Sequence, residues 1–293
     1  ATTDAGAVYV FSRATTTSAT SWAQQSYIKS SDRINPTNPA YPKPQDYFGF
    51  SLALSGDGSS LIVGAYGIDE IPNITIDSGG AFLFTNDGKG VWSQKIRITA
   101  FDTQMLYRFG WSVAINDNGT IMVVGATSAT FKRGNVAGGK AYLYQTGLTG
   151  GFASRILFGA SNPNDSDNFS VVSISGDGRT LAIGASGDNG NSKGINNALN
   201  NFAANAGAVY RVDIVLDQKT GTIFLNSQSY TYIKASNTDI DDLFGSAVAL
   251  SVDGSTLAVG APGEAGAATG GTSSNIIPDT LNAAAGAGAI YLY

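Results

Sequence analysis

The sequence contains no cysteine and no histidine, and charged residues make up only 13% of it. Without cysteine there are no disulfides, no thiol nucleophile and no thiolate metal site. Without histidine, the commonest general base and the commonest metal ligand are missing too. The net charge of −5 has the wrong sign for nonspecific phosphate binding, so we expect no nucleic-acid partner. An enzyme is therefore the least favoured class of function.

Long apolar runs are also missing. No run approaches 18 residues, so we expect no membrane insertion by a helix. Glycine is abundant, with 37 residues, and 43% of the chain is hydrophobic. The glycines follow no three-residue period, which excludes collagen, and the hydrophobic content excludes disorder. The polar residues are mainly Asn, Ser and Thr, which favours an extracellular or cell-surface location.

One repeated segment dominates the sequence, and four copies of it align almost without gaps. The copies read FGFSLALSGDGSSLIVGA from Phe48, FGWSVAINDNGTIMVVGA from Phe109, FSVVSISGDGRTLAIGA from Phe169 and FGSAVALSVDGSTLAVGA from Phe244. Each copy has a short Asp-Gly or Asn-Gly turn between two apolar runs, which is a strong hairpin signal. The turn glycines Gly58, Gly119, Gly178 and Gly254 are 61, 59 and 76 residues apart. This self-similarity predicts a repeat architecture.

Two further strand-like elements accompany the hairpin. One continues from glycine into β-branched and aromatic residues, at Gly6, Gly80, Gly139, Gly207 and Gly288. The other begins near an aromatic residue, at Trp22, Val91, Phe152 and Ile223. The unit is therefore four antiparallel strands. The sequence predicts an all-β fold, a β-propeller-like array of four-stranded antiparallel sheets with about four blades and incomplete terminal blades.

We expect residues 1–293 to form a single domain. Its repeats span approximately residues 1–47 (partial), 48–108, 109–168, 169–243 and 244–293 (partial). The first partial repeat supplies strands 3 and 4 and the last supplies strands 1 to 3, so seventeen strands are predicted. The simplest closure places residues 22–30 as a fourth strand beside residues 288–293 and leaves residues 6–11 surplus.

The repeated segments resemble the FG-GAP repeat of integrin α-subunit N-terminal propellers and of secreted bacterial proteins. The resemblance rests on Phe-Gly at Phe48, Phe109 and Phe244 and on Gly-Ala-Pro at Gly260. It covers essentially the whole chain in four copies. It implies that FG opens the innermost strand of each blade, that GAP ends the second strand, and that the protein is extracellular. Proline is present in the last copy alone, and the third copy lacks the glycine after Phe169.

The resemblance also raises the question of calcium, because the family's site is a D-x-D-x-D-G loop between strands 1 and 2. The corresponding turns here read SGDG, NDNG, SGDG and SVDG, and one or two carboxylates do not supply the six to eight oxygens that Ca²⁺ needs. We therefore interpret these aspartates as turn-forming and expect no cofactor. The remaining calcium candidates are acidic residues in the strand 4–1 loops: Asp239, Asp241 and Asp242, and separately Asp165 and Asp167.

The connections of variable length are expected on one face of the fold. Alternate connections of an antiparallel meander share a side, and here the 2–3 and 4–1 connections vary whereas the 1–2 turns do not. Variable loops on one face usually mark a binding side. The ligand candidates on this face are Tyr41, Tyr47, Tyr66, Phe131, Lys132, Arg133 and Phe202. Two interpretations stay open: these residues bind a sugar or protein, or they pack the loops onto the propeller.

Four Asn-x-Ser/Thr sequons are candidate glycosylation sites, at Asn73, Asn118, Asn164 and Asn168. The tripeptide is short, so chance matches are expected in an Asn-rich chain. Asn73 in a long loop is the best acceptor, whereas Asn118 lies in a tight turn.

Two functions remain after these exclusions. The first is a non-enzymatic extracellular structural or adhesion protein that associates with itself, head to tail, through its terminal strands into surface or filamentous assemblies. Incomplete terminal sheets favour it, because their open backbone edges can be completed by a neighbour. The second is a monomeric propeller that binds a glycan or a cell-surface protein on the variable loop face. The assembly state in dilute solution discriminates between the two.

Overall fold

The computed structural model describes residues 5–13, 21–30, 45–69, 76–129, 138–147, 151–160, 167–197, 200–217, 220–266, 284 and 286–293. These residues form seventeen β-strands and contain no helix, so the predicted all-β fold and the predicted number of strands are confirmed. It follows that the described segments hold no helix long and apolar enough to cross a membrane.

The strands form five sheets, which we name in chain order. The N-terminal sheet contains β1 (Val8–Arg13) and β2 (Trp22–Ile28). Blade I contains β3 (Ser51–Leu54), β4 (Ser60–Ala65), β5 (Gly80–Asn86) and β6 (Trp92–Ile98). Blade II contains β7 (Phe109–Ile115), β8 (Ile121–Ala126), β9 (Lys140–Thr146) and β10 (Phe152–Phe158). Blade III contains β11 (Phe169–Ile174), β12 (Thr180–Ala185), β13 (Ala208–Leu216) and β14 (Ile223–Ile233), and the C-terminal sheet contains β15 (Ala247–Leu250), β16 (Leu257–Ala261) and β17 (Ala289–Leu292).

Every sheet is an antiparallel meander of consecutive strands. The predicted closure of the array is wrong, because β2 pairs with β1 in its own hairpin and not with β17. Hydrogen bonding between sequence neighbours closes a short loop, whereas closure through β17 would bring together residues more than 250 positions apart and order a much longer chain. Within the described residues the N-terminal sheet thus has two strands and the C-terminal sheet three.

The hydrophobic core lies between the sheets. Strands β4, β8 and β12 are buried at every residue, as expected for strands covered on both faces. Four clusters of buried side chains follow one another along the array, and each joins two successive sheets. No cluster joins the N-terminal sheet to the C-terminal sheet in the part of the chain that the structure describes. The sheets therefore stack face to face in chain order, as propeller blades do.

The FG motif joins each blade to the sheet before it. The phenylalanines of all four copies are buried: Phe48, Phe109, Phe169 and Phe244. Parallel bridges link Gly6 to Phe48, Gly79 to Phe109 and Gly207 to Phe244. A Cβ on Gly79 would lie 2.1 Å from the carbonyl oxygen of Phe109, so only glycine allows this approach. These bridges also show that Gly79, rather than the predicted Gly80, occupies the repeat position of Gly6.

The 1–2 turns of successive sheets are joined by backbone hydrogen bonds. The amide of Asp57 donates to the carbonyl of Asp117 (3.4 Å), and the amide of Asp117 donates to the carbonyl of Gly176 (3.0 Å). The amide of Asp177 continues the series to the carbonyl of Val252 (3.3 Å). Each turn thus donates to the next in chain order, which gives the row of turns a direction.

Candidate functional site

The predicted loop face is partly described. Tyr41, Phe131, Lys132 and Arg133 lie outside the described residues. Tyr47 and Tyr66 stack in parallel, with ring centroids 4.7 Å apart and an interplanar angle of 9°. Phe202 is 80% exposed, and none of the ring contacts between described residues includes it. The structure therefore brings together two of the seven predicted ligand residues.

Two aromatic residues that the sequence prediction missed complete this group. Phe50 lies edge-on to Tyr66 at 4.6 Å, and Trp111 contacts both Phe50 (4.8 Å) and Tyr66 (5.1 Å) between ring centroids. We call Tyr47, Phe50, Tyr66 and Trp111 the aromatic cluster. Phe50 and Trp111 occupy the same repeat position, directly after FG, and an aromatic residue recurring there was the signal that could have identified them. These ring contacts are what the loop-packing interpretation predicts, and ligand binding by the same residues stays a prediction.

Charged groups border the aromatic cluster. Burial and the nearby Asp69 carboxylate raise the pKa of Asp77, and the Arg108 guanidinium opposes them with a weaker effect. Burial raises the pKa of the Tyr66 hydroxyl as well, with a further contribution from Tyr47. Arg108 fixes this arrangement through its backbone, since its amide donates to the carbonyl of Asp77 (3.0 Å). The cluster thus combines aromatic faces with a cation and two carboxylates, the kind of surface on which polar, ring-shaped ligands bind.

The acidic residues of the last 4–1 loop do not form a common metal shell. Asp239 and Asp241 are exposed, whereas Asp242 is buried. Asp242 accepts a hydrogen bond from the amide of Asp239 (2.6 Å), and Asp241 accepts one from the side chain of Asn205 (2.9 Å). Among the described residues no group of three or more acidic side chains is placed to hold a metal ion. Of the other pair, Asp167 is buried and Asp165 lies outside the described residues; the lack of a calcium requirement stays a prediction.

A fully buried lysine and its carboxylate partner lie in blade III. Lys234 is fully buried and its Nζ lies 3.2 Å from Oδ1 of Asp188, which is also buried. Lys234 also donates to the carbonyl of Gly207. Oδ1 of Asp188 accepts further hydrogen bonds from the hydroxyl of Tyr232 (2.8 Å) and the amide of Gly190 (2.8 Å). Burial lowers the pKa of Lys234 in spite of the opposing effect of Asp188.

A similar arrangement occurs in blade II. Nζ of the buried Lys140 lies 2.5 Å from Oδ2 of Asp102, and the hydroxyl of Tyr142 donates to Oδ1 of Asp102 (2.8 Å). In both blades a tyrosine hydroxyl and a lysine satisfy one carboxylate. These groups use their hydrogen-bonding capacity within the protein, and we interpret them as structural.

The turn aspartates hydrogen-bond within their own turns. Oδ1 of Asp57 accepts from the hydroxyl of Ser55 (2.6 Å) and from the amide of Ser59 (2.9 Å). Asp177 and Asp253 make equivalent bonds in later copies. The hydrogen bond from the Ser251 hydroxyl is the largest of the contributions that lower the pKa of Asp253 to about 2. This geometry supports the turn-forming interpretation of these residues.

Two of the four sequons are described. Asn118 and Asn168 are exposed, whereas Asn73 and Asn164 lie outside the described residues. Oδ1 of Asn118 accepts from the amide (3.1 Å) and hydroxyl (2.5 Å) of Thr120, and Oδ1 of Asn168 accepts from Thr127 (3.2 Å). Both side chains reach the surface, and their glycosylation stays a prediction.

The two ends of the array expose apolar side chains that the repeat buries elsewhere. Leu52 and Leu54 of β3 are 56% and 53% exposed. The corresponding side chains in blades II and III are buried: Val113 and Ile115, Val172 and Ile174. Blades II and III are covered on this side by strands 1 and 2 of the preceding sheet, whereas the described residues of the N-terminal sheet form only strands 3 and 4. We call Leu52 and Leu54 together with the exposed Tyr9 and Phe11 of β1 the N-terminal face.

The C-terminal end of the array exposes apolar side chains on the side that would face a following sheet. Ile290 and Leu292 of β17 are 77% and 71% exposed. At their repeat positions Ala81 and Leu83 in β5 and Ala141 and Leu143 in β9 are buried. In β13 Val209 is buried, whereas Arg211 is half-buried. We call Ile290 and Leu292 together with the exposed Ala247 and Ala249 of β15 the C-terminal face. Scattered exposed apolar residues are ordinary, but a contiguous apolar face usually marks an interaction surface.

These features define a class of protein built from four-stranded antiparallel blades that share their cores with their neighbours. The model of the FG-GAP repeat family matches residues 42–84 and 92–144. These two segments therefore match FG-GAP repeats, which confirms the resemblance drawn from the motifs there, and the all-β structure agrees with an FG-GAP β-propeller-like fold. Such repeats typically occur in extracellular or surface proteins. A search of curated proteins found no match.

Proposed function

We propose that this chain is a non-enzymatic extracellular structural protein that associates with itself through its terminal β-strands into surface or filamentous assemblies. The observation that carries the proposal is the exposure of apolar side chains at both ends of the array, at repeat positions that the interior buries. Burying a leucine completely contributes about 1.5–3 kcal/mol, so the half-covered Leu52 and Leu54 would each add roughly 1 kcal/mol. Open backbone edges add directional hydrogen bonds.

The two faces differ in sequence, which favours a head-to-tail contact. A contact between two different surfaces generates a ring when it closes and a filament when it does not. A row of copies would repeat the same loop face many times. Repeated presentation raises the avidity of weak binding without any new contact, and this supports a role in adhesion.

The chemistry of the buried groups supports a non-enzymatic protein. The chain has neither histidine nor cysteine, so an active site would depend on carboxylates, lysine or tyrosine. Two of the buried groups, Lys234 and Asp188, bond to each other and to the backbone. A buried and satisfied ion pair is a structural feature, whereas a catalytic base needs access to its substrate.

Light scattering on the purified chain over a range of concentrations tests self-association. We expect a mass well above that of one chain, and we expect the double variant Leu52→Glu/Leu54→Glu to be monomeric, because it places charges on the N-terminal face. Both side chains are half exposed, so the variant should keep its β-sheet circular dichroism. Phe202→Glu is the matched control, since it charges an exposed aromatic residue away from both faces. A parent chain that is monomeric at every concentration would refute self-association.

A second candidate function rests on the aromatic cluster. Tyr47, Phe50, Tyr66 and Trp111 form a group on the variable loop face, bordered by Arg108 and two carboxylates. Such a surface supports binding of a glycan, whose rings stack on aromatic faces and whose hydroxyls bond to charged groups.

A glycan array measures this second function directly. We expect binding by the parent and loss of binding by Tyr66→Ala. The control is Tyr9→Ala, which removes an exposed aromatic ring from the N-terminal face. Binding by both variants at parental strength would place the ligand away from the aromatic cluster. Absence of binding by the parent would leave assembly as the function.

A further inference from the structure

The first and last strands of the described array are copies of the same repeat element. Strand β1 lies in GAVYVF from Gly6, and β17 lies in GAIYLY from Gly288. Both are third strands, so Val8 is equivalent to Ile290 and Val10 to Leu292. The C-terminal sheet has strands 1, 2 and 3, whereas the N-terminal sheet has strands 3 and 4. The strands described in these two sheets therefore fill the four strand positions of one blade, with strand 3 present twice.

Building on the proposed self-association, we infer that neighbouring copies share a composite blade, in which β15 and β16 of one copy pair with β1 and β2 of the next. In this blade β1 takes the place of β17 against β16. The register follows from the repeat: β16 pairs Ala258 with Leu292 and Gly260 with Ile290, so it would pair Ala258 with Val10 and Gly260 with Val8 of the second copy. Strand β17 is the single strand left over.

The composite blade accounts for the exposure of Leu52 and Leu54. In blade II the equivalent side chains, Val113 and Ile115, belong to the cluster that contains Ile62 of β4, and Ala53 of β3 packs against it. Strands β15 and β16 of the second copy are the repeat equivalents of β3 and β4. They would bring Ala249 and Ala258 over Leu52 and Leu54. Stacking of two intact sheets would instead leave both leucines uncovered, because strands 1 and 2 would still be missing beside β1.

The exchange requires β17 to leave β16 and to give up its inward contacts, because Tyr291 and Tyr293 lie edge-on to Phe244 and their hydroxyls donate to Glu264 and to the carbonyl of Lys234 (both 2.9 Å). The residues at these positions of β1 are the exposed Tyr9 and Phe11, which would replace the two tyrosines in the composite blade. Strand β17 has four residues and lies at the edge of its sheet. Its outward side chains Ile290 and Leu292 are largely exposed, whereas Val8 of β1 is buried and Val10 is partly buried against blade I. An edge strand of this kind is the standard site of strand exchange between identical chains.

A disulfide that holds β17 in place tests the composite blade. Ala258 and Leu292 are directly opposed, and the adjoining pair Leu257–Tyr293 exchanges both backbone hydrogen bonds (2.9 and 3.0 Å). Ala258–Leu292 is therefore a non-hydrogen-bonded pair, in which Cα atoms lie about 4.5 Å apart, within the range of a disulfide. The chain has no other cysteine, so Ala258→Cys/Leu292→Cys introduces a single defined bond. A second variant, Val10→Cys/Ala258→Cys, places the cysteines where copies would meet.

Light scattering of the Ala258→Cys/Leu292→Cys variant is compared with and without reductant. We expect a monomer when it is oxidised and an assembly of parental mass when it is reduced. The Val10→Cys/Ala258→Cys variant should give a ladder of covalent oligomers on a denaturing gel after oxidation. If the oxidised first variant still assembles, the composite blade is wrong while self-association stands. If the parent is a monomer, the proposed function fails and the composite blade fails with it.

Discussion

Replacing Lys234 by methionine removes the positive charge from the most deeply buried ion pair of the residues that the structure describes. Lys234 and Asp188 are both buried, 3.2 Å apart between Nζ and Oδ1. Methionine nearly fills the volume of the lysine stem but leaves the Asp188 carboxylate without its cation. Removing one partner of a buried pair costs about 3–5 kcal/mol, because an uncompensated charge remains in a low-dielectric site.

The hydrogen bonds around Asp188 place the expected loss at the lower end of that range. Tyr232 and Gly190 continue to donate to Oδ1, each at 2.8 Å, so the carboxylate keeps two of its three donors. We expect Lys234→Met to lower the free energy of unfolding by roughly 3 kcal/mol. For chains of this size that corresponds to a fall in the unfolding temperature of about 6–12 °C.

Thermal unfolding followed by circular dichroism measures this effect. Lys95→Met is the matched control, because Lys95 is exposed on β6 and its replacement should change the stability by no more than ~0.5 kcal/mol. The double variant Lys234→Met/Asp188→Asn should regain much of the loss, since it removes the uncompensated charge. If Lys234→Met is as stable as Lys95→Met, or if the double variant is no better than the single one, the buried pair does not have the role assigned to it.

Three further predictions concern pH, the repeat glycines and metal. Burial raises the pKa of Asp242 from 3.8 to about 6. Its contribution to stability is therefore present below pH 3.8 and is lost as the pH rises through about 6. Thermal melts of Asp242→Asn should show a weaker dependence of stability on pH, and an unchanged dependence would show that another group titrates. Gly207→Ala should lower the free energy of unfolding by ~2 kcal/mol or more, because the new Cβ would lie 2.0 Å from the Phe244 carbonyl oxygen at a residue with φ +77. The control is Gly221→Ala, at φ +68 with open space around it. It should lower the free energy of unfolding, measured by chemical denaturation, by only about 1 kcal/mol. EDTA should hardly change the unfolding temperature, and a large calcium-dependent rise would instead assign a site to the acidic 4–1 loops.

The strands and turns were predictable because their signals are local. Each Asp-Gly or Asn-Gly turn lies between apolar runs of the right length, and its hydrogen bonds, such as those of Asp57 with Ser55 and Ser59, join residues two positions apart. The repetition of these signals gave the number of strands and the sheet topology. The family resemblance rested on the same repeated motifs.

The pairing of the terminal strands was not predictable in the same way. The motifs identify β2 as a fourth strand, but a fourth strand pairs equally well with any third strand. Both β1 and β17 are third strands with similar sequences, so the choice between them depends on loop length and not on side chains. The structure pairs β2 with β1, the nearer of the two along the chain.

The contacts between blades were the least predictable part of the candidate site. Phe50 and Trp111 are 61 residues apart, and Asp188 and Lys234 are 46 apart. Each pair meets because of how neighbouring strands and blades stack, and no short-range pattern encodes that distance. A recurring aromatic residue after FG was the available sign for Phe50 and Trp111. The available sign for Lys234 was the triplet Tyr-Ile-Lys, which occurs at both Tyr27 and Tyr232.

Sharing each core cluster between two successive sheets has a consequence for how this chain can change in length. Every blade presents one kind of apolar side to the sheet before it and another kind to the sheet after it, as Val113 and Ala114 do on opposite sides of β7. Duplication or loss of one whole repeat therefore joins the same two kinds of side again and creates no new type of interface. A sheet of only half a repeat would instead leave part of the next blade uncovered, as the two-stranded N-terminal sheet leaves Leu52 and Leu54 exposed. The array can grow or shrink only in whole steps, and its energy changes by one blade and one interface at a time.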